Sequence, residues 1–207
     1  YKRQALVEAI TEEFGVRLVD LDSIRFGGRT DRDLVREILT RAGVDPSAEN
    51  QGRLRRRYSS ILREVLQTVS GRVLPGVFDL MESLSQKPEV RLAVMTGNFP
   101  ETARMKLQTY QLIHYFSWVV GGDLDVVRCD MARRAADQVA RQHGESAREN
   151  IIVIGDTPND VKCAQSMGAK CLAVCTGSGT RNELASAGAD RIVDNLADPN
   201  AIDFLSP

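Results

Sequence analysis

The segment Ile151-Ile-Val-Ile-Gly-Asp-Thr-Pro-Asn-Asp160 constrains this chain more than any other. Its β-branched apolar run reads as a buried strand, and the Gly-Asp break ends that strand abruptly. Pro158 suits the first turn of a following helix, where a missing N–H costs nothing. The pattern therefore predicts a strand–turn–helix unit with Asp156 and Asp160 bracketing the turn. With no Lys or Arg nearby in sequence, two such carboxylates repel each other unless a cation sits between them. Hard oxygen donors that leave room for water suit Mg²⁺. The competing reading is that Asp156 only caps the helix.

Arg91-Leu-Ala-Val-Met-Thr-Gly-Asn98 repeats the pattern: an apolar strand that stops at Thr-Gly-Asn, then Pro100 and a helical run over Glu101 to Tyr110. Thr96 offers a hydroxyl, and Gly97 lets backbone N–H groups approach an anion. In open α/β sheets ligands collect beyond the carboxyl ends of the strands. An anion cradle beside paired carboxylates points to a phosphoryl substrate.

Further strands are expected near Trp118–Val120, Ile151–Ile154, Cys171–Val174 and Arg191–Val193, with helical periodicity over Met131–Gln142 and Val161–Met167. Thr180 followed by Glu183 is a capping-box pattern that starts another helix. Strand–helix alternation implies a mostly parallel sheet with helices on both faces. Residues 11–74 differ, with two helical patterns and no clear strand. Thr30 can cap a helix bearing Leu34, Val35, Ile38 and Leu39 that ends at Gly43. A longer helix carries Leu54, Tyr58, Ile61, Leu62, Val65 and Leu66 on one face.

At this point the chain resembles the haloacid dehalogenase superfamily, in its phosphoglycolate phosphatase-like branch. Gly155-Asp-Thr-Pro-Asn-Asp160 with Ala164 and Gly168-Ala169 is similar to that superfamily's fourth motif, and Val94-Met-Thr-Gly-Asn98 to its second. Gly28-Arg-Thr-Asp31 resembles the substrate loop of a helical cap, and Leu74-Pro-Gly-Val77 the return from cap to core. The resemblance implies an α/β fold, a Rossmannoid parallel sheet with helices on both faces, plus a small all-helical cap. The core would span 1–10 and 75–207 and the cap 11–74. It also implies an Mg²⁺-dependent phosphatase of a small phosphorylated metabolite. Thr96, with the amides of Gly97 and Asn98, would hold phosphoryl oxygens. Arg128 would stand in for the third motif's Lys, with Lys106 in reserve as a helical surface residue. Asp156 would hold Mg²⁺, with Asp160 as second ligand or ordering its waters. Gly28 and Arg29 would meet the substrate.

The first motif, Asp-x-Asp-x-Thr, is not found. Tyr1-Lys-Arg-Gln-Ala-Leu-Val-Glu-Ala-Ile10 resembles the helix that follows it, so a strand carrying the nucleophilic Asp is expected upstream. Loss of a central strand would leave inner edges unpaired, at about 1–3 kcal/mol per buried backbone group. Leu18-Val-Asp-Leu-Asp-Ser23 is a decoy: Asp20 and Asp22 mimic the motif, but Arg17 precedes them and no Thr follows. The alternatives are a binding or regulatory protein without turnover, a metal-independent 2-haloacid dehalogenase, and a dinucleotide binder. Gly177-Ser-Gly179 lacks the third glycine that the last would need.

Composition narrows the partners. At 207 residues the chain can bury a large core and hold an insertion. A net charge of −1 recruits neither nucleic acid nor membrane. No apolar run is long enough to span a bilayer. Cys129, Cys163, Cys171 and Cys175 form no Cys-x-x-Cys pair, so they read as reduced core thiols of a cytoplasmic protein, monomer or homodimer. The run Arg53, Arg55, Arg56, Arg57 reads as a solvated face paired with nearby acids.

Overall fold

Fifteen elements follow one another in the computed structural model, which describes residues 2–16 and 23–205. In chain order they are α1 (Lys2–Phe14), α2 (Asp31–Arg41), α3 (Ala48–Thr68), α4 (Val77–Ser85), β1 (Ala93–Met95), α5 (Pro100–Thr109), β2 (Trp118–Val120) and α6 (Arg128–His143). Then come α7 (Glu145–Glu149), β3 (Ile152–Gly155), α8 (Pro158–Ser166), β4 (Lys170–Val174), α9 (Arg181–Ser186), β5 (Arg191–Val193) and α10 (Pro199–Leu205). The strands fall where the apolar runs put them, to within two residues. The decoy Asp20 and Asp22 lie outside the described residues.

Two compact units emerge. The helical unit gathers Tyr1–Gly71, Thr96–Ile113 and Gly121–Val127. Its core is built from rows spaced three and four apart, the spacing that stacks side chains on one helix face. α1 contributes Ala5, Leu6, Ala9 and Ile10, α2 Leu34, Val35, Ile38 and Leu39, and α3 Leu54, Tyr58, Leu62 and Leu66. Phe99 joins them, its ring 6.4 Å from that of Tyr58. Thr30 caps α2 as expected, accepting from Asp33 N. The arginine run of α3 is engaged by acids: Arg53 with Glu13, Arg57 with Glu12, and Arg55 with both carboxylate oxygens of Glu101.

The α/β unit comprises Arg72–Met95, His114–Val120 and Arg128–Pro207. Its strands pair in parallel, β1 with β2 and, separately, β3-β4-β5. Strand alternation sorts the side chains of β4 to two faces. Cys171 and Ala173 pack on Val161, Ala164 and Leu184 of α8 and α9. Leu172 and Val174 pack on Val193 and α10. Apolar residues of α6 serve both sheets, with Met131 and Ala135 against β2 and Ala132 and Ala136 toward β3.

Exposure follows from that division. β4, flanked on both sides, buries Cys171 to Val174. β3 is as apolar in sequence, yet every residue is only half-buried, and Ala93 of β1 is exposed. Among the described residues each of β1 and β3 has a single strand partner. The four cysteines are free. Burial pushes the Cys163 thiol up to about 11 and that of Cys171 to about 12. Among the described residues no helix is long and apolar enough to cross a membrane.

Packing of this kind sets a clear contrast. Leu62→Ala, at a fully buried site, is expected to cost about 2–5 kcal/mol in urea unfolding. Leu124→Ala, at a side chain 60% exposed, should fall within about 0.5 kcal/mol of the parent.

Candidate active site

The turn from β3 to α8 is organised by one carboxylate. Thr157 is the N-cap residue, and Asp160 closes a capping box with it. Asp160 Oδ2 accepts from Thr157 N at 3.0 Å, Thr157 Oγ1 at 2.7 Å and Asp156 N at 3.2 Å. Its other oxygen accepts from Arg128 Nη2 at 2.7 Å. Capping thus falls to Thr157 and Asp160, not to Asp156. The expectation that no Lys or Arg is near is corrected: α6 delivers Arg128 from 32 residues away in sequence. Asp160, expected as a second metal ligand, has both oxygens engaged. The Arg128 Nε is buried and has no hydrogen-bond partner among the described residues.

Asp156 leaves the strand one residue past Gly155 and is held from the other side by the loop after β4. Its Oδ2 accepts from Ser178 N at 3.3 Å, and its carbonyl accepts from Gly179 N at 3.1 Å. Gly177 permits this, since a Cβ there would stand 1.6 Å from Asp156 Oδ2. No Lys or Arg pairs with Asp156 among the described residues. Asp156, Thr176 and Gly177 line one side of a cavity of about 290 Å³, and Ile154, Val174 and Leu196 form part of its apolar wall.

Mg²⁺ is commonly held by one or two carboxylates while keeping several waters. Asp156 fits that role as a single carboxylate without a competing cation. Among the described residues no cluster of three His, Cys, Asp or Glu side chains could hold a metal by itself.

In the helical unit the Thr96-Gly97-Asn98 loop meets the Gly28-Asp31 loop backbone to backbone. Asp31 N donates to Gly97 O at 2.6 Å, and a Cβ on Gly97 would come within 2.4 Å of the Arg29 carbonyl. Only glycine allows that approach. Arg29 is therefore brought to the loop through its backbone. The Arg29 guanidinium turns away to Asp33, at 2.5 Å, and to Glu37. The Asn98 amide, expected at a phosphoryl oxygen, donates instead to Thr96 Oγ1 at 3.2 Å.

Two residues gain importance, Asp31, to which sequence gave no role of its own, and Lys106, which it held only in reserve. Asp31 is fully buried, accepts from Phe99 N at 2.8 Å and pairs with Lys2 at 2.6 Å. Lys106, expected on the surface, is half-buried and donates to Asn98 Oδ1 at 2.8 Å. Burial, reinforced by the Lys2 charge, pushes its ammonium down to about 8. A lysine eight residues after a Thr-Gly-Asn turn, on the same helix, is the only sequence signal for that contact.

Residues 4–174 match the family model of the haloacid dehalogenase-like hydrolases. A phosphoglycolate phosphatase of Pseudomonas syringae pv. syringae is 27% identical over 201 residues, covering 92% of this chain and 69% of that protein. Phosphoglycolate phosphatase 1 of Pseudomonas aeruginosa is 31% identical over 127 residues, 61% of this chain and 45% of its own length. The crystal structure of a hydrolase from Pseudomonas syringae superposes with a TM-score of 0.71 at 22% identity, covering 100% of this chain and 92% of that one. The chain belongs to the haloacid dehalogenase-like hydrolases. Within them it falls with the phosphatases, and its parallel α/β strands and helices are those of that fold.

Asp160→Ala should destabilise the protein by about 3–5 kcal/mol in chemical denaturation, because it strands a largely buried Arg128 charge and removes a cap. Lys106 adds a pH signature. Its folded value near 8 lies below the ordinary 10.5, so between those values the unfolded chain binds more protons. Stability contributed at this site therefore rises with pH across the window and is flat below about 8. The stability of Lys106→Met relative to the parent should fall from pH 8 to 10.5.

Proposed function

We propose that this protein hydrolyses the phosphomonoester of a small metabolite, phosphoglycolate or a close analogue, in an Mg²⁺-dependent reaction. The nucleophile would be an aspartate on a strand upstream of Tyr1, forming an aspartyl-phosphate. The observation that carries this reading is the end of β3. There Asp156 stands without a cationic partner, next to a capping carboxylate that holds Arg128 in place.

Each group has a chemical assignment. In the helical unit, the Thr96 hydroxyl and the Gly97 amide would hold phosphoryl oxygens, with the Gly28–Asp31 loop seated behind Gly97. Residues 11–74 would act as the cap that excludes water and supplies specificity. In the α/β unit, Arg128 would direct its unpartnered Nε at an anionic acceptor; leaving it buried and unsatisfied costs about 1–3 kcal/mol. A guanidinium can bind phosphate oxygens bidentately, which suits Arg128 to the role that the family resemblance gives the third motif's Lys. Asp156 would hold the metal, and Asp160 would order that turn rather than ligate. When bound, Mg²⁺ supplies positive charge to the phosphoryl oxygens.

In the first step the upstream carboxylate would bond to phosphorus as the ester P–O bond breaks, the alcohol leaving with a proton from the general acid of the same upstream motif. Water would then attack phosphorus, giving its proton back to that group, releasing phosphate and regenerating the carboxylate. The upstream strand has a natural seat. The half-exposed apolar strands β1 and β3 each lack a second partner among the described residues, and α6 packs toward both. The substrate class comes from the relatives, which are phosphoglycolate phosphatases.

The complete protein should release phosphate from phosphoglycolate or p-nitrophenyl phosphate, lose this with EDTA and regain it with Mg²⁺. Asp156→Asn should abolish the Mg²⁺-dependent turnover, and Thr96→Val should lower kcat/KM by about 10²–10³, the cost of one oxyanion-type donor. Unchanged Mg²⁺-dependent activity in Asp156→Asn would sink the metal assignment. Metal-independent halide release from a 2-haloacid would establish a dehalogenase instead.

A further inference from the structure

Hydrogen-bond inventory determines the orientation of the Thr96–Asn98 loop more tightly than its backbone does. A lysine ammonium has three donors and no acceptor. Lys106 Nζ lies 2.8 Å from one terminal atom of the Asn98 carboxamide, so that atom has to be the oxygen. The nitrogen then faces Thr96, with Nδ2 donating to Oγ1 at 2.7 Å. Amide orientation is ordinarily ambiguous between its two flips, and a donor-only partner removes the ambiguity.

The consequence passes to the hydroxyl. Thr96 Oγ1 also accepts from Asn98 N at 3.2 Å, so both of its lone pairs are occupied by Asn98. A hydroxyl has one donor and two acceptor sites. With the acceptors filled, the hydrogen of Thr96 is turned away from Asn98 and can only donate. A donor oriented before the substrate arrives has no reorganisation to undergo when charge develops.

We propose that Lys106 is a positioning residue for phosphoryl recognition, fixing the Asn98 carboxamide so that the Thr96 hydroxyl is an obligate donor to the substrate anion. This rests on the reading of Thr96 as a phosphoryl-binding residue. The scaffold around it suits the task. α5 carries Lys106 two turns beyond the loop, and the buried Asp31 ties the start of that helix down through Phe99 N. Asp31 also pairs with Lys2, so one buried carboxylate stands among two ammonium groups. Among these three groups the two ammoniums outnumber the carboxylate, the sign that a phosphate dianion needs.

A kinetic cycle on the complete protein tests this, using p-nitrophenyl phosphate turnover and inhibition by orthovanadate. Lys106→Met is expected to lower kcat/KM by about 10–100-fold, the usual effect of losing a group that orients a ligand-binding side chain, and to weaken vanadate inhibition in step. Combined with Thr96→Val it should cost no more than Thr96→Val alone, because Lys106 acts through that hydroxyl. Lys106→Arg, also donor-only, should recover most of the loss. Should the Met variant fail to fold, Asn98→Asp gives the same information. It keeps an acceptor for Lys106 but has no donor for Thr96, and should lose about tenfold or more. Multiplicative losses in the double variant, or wild-type kcat/KM in either Lys106→Met or Asn98→Asp, would overturn the proposal. Wild-type protein that neither turns over substrate nor binds vanadate would overturn the phosphatase reading itself, and this inference with it.

Discussion

The Asp160 carboxylate holds the α/β unit's functional edge together. It accepts from the backbone of Asp156 and Thr157, from the Thr157 hydroxyl and from Arg128. Those bonds set where β3 ends, where α8 begins and how α6 is anchored beside them. A charge with so little exposure is tolerable only when it is paired and fully hydrogen-bonded. Because Asp160 absorbs both the capping duty and the nearby guanidinium, Asp156 is left with a backbone donor from Ser178 and no cation. The availability of one acid thus depends on the engagement of the other.

A second constraint is that, among the described residues, β1-β2 and β3-β4-β5 are separate sheets. β4 shows what a strand of this composition does when flanked on both sides: four consecutive residues are buried. β3 has the same chemistry and stays half-exposed. Parallel strands bury both faces and read as continuous apolar runs, so half-exposure marks an edge that the sequence of β3 was not written for. That mismatch is the physical ground for proposing a further strand between β1 and β3.

The helical unit applies the same economy to an anion loop. Gly97 is required by close contact with the Arg29 carbonyl, Asp31 by the bare N–H of Phe99, and Lys106 by the Asn98 oxygen. Each polar group there is placed by another whose donor or acceptor character leaves one solution. Arg29, the residue best advertised by its Gly-rich loop, is spent instead on Asp33 and Glu37 of α2, the helix it precedes. Acids in the first turns of that helix lie within reach of a guanidinium just ahead of its cap, and that local geometry outweighed the motif.

Elements set by neighbouring residues were legible in the amino-acid order. The strands followed from short apolar runs, the helix starts from Thr30, Pro158 and the Thr180–Glu183 box, and the cores of α2 and α3 from three- and four-residue spacing. These depend on backbone sterics and on hydrogen bonds closed within a single turn, so a few residues suffice to determine them. Contacts made by residues far apart in the chain belonged to the tertiary structure alone. Arg128 on Asp160, the Ser178 amide on Asp156 and Lys2 on Asp31 link positions separated by whole elements. Lys106 is the intermediate case, close to Asn98 in sequence but half-buried on a helix that packs against α3. Which charges are paired, and which is left to meet a ligand, is decided by burial, and burial is a property of the folded chain.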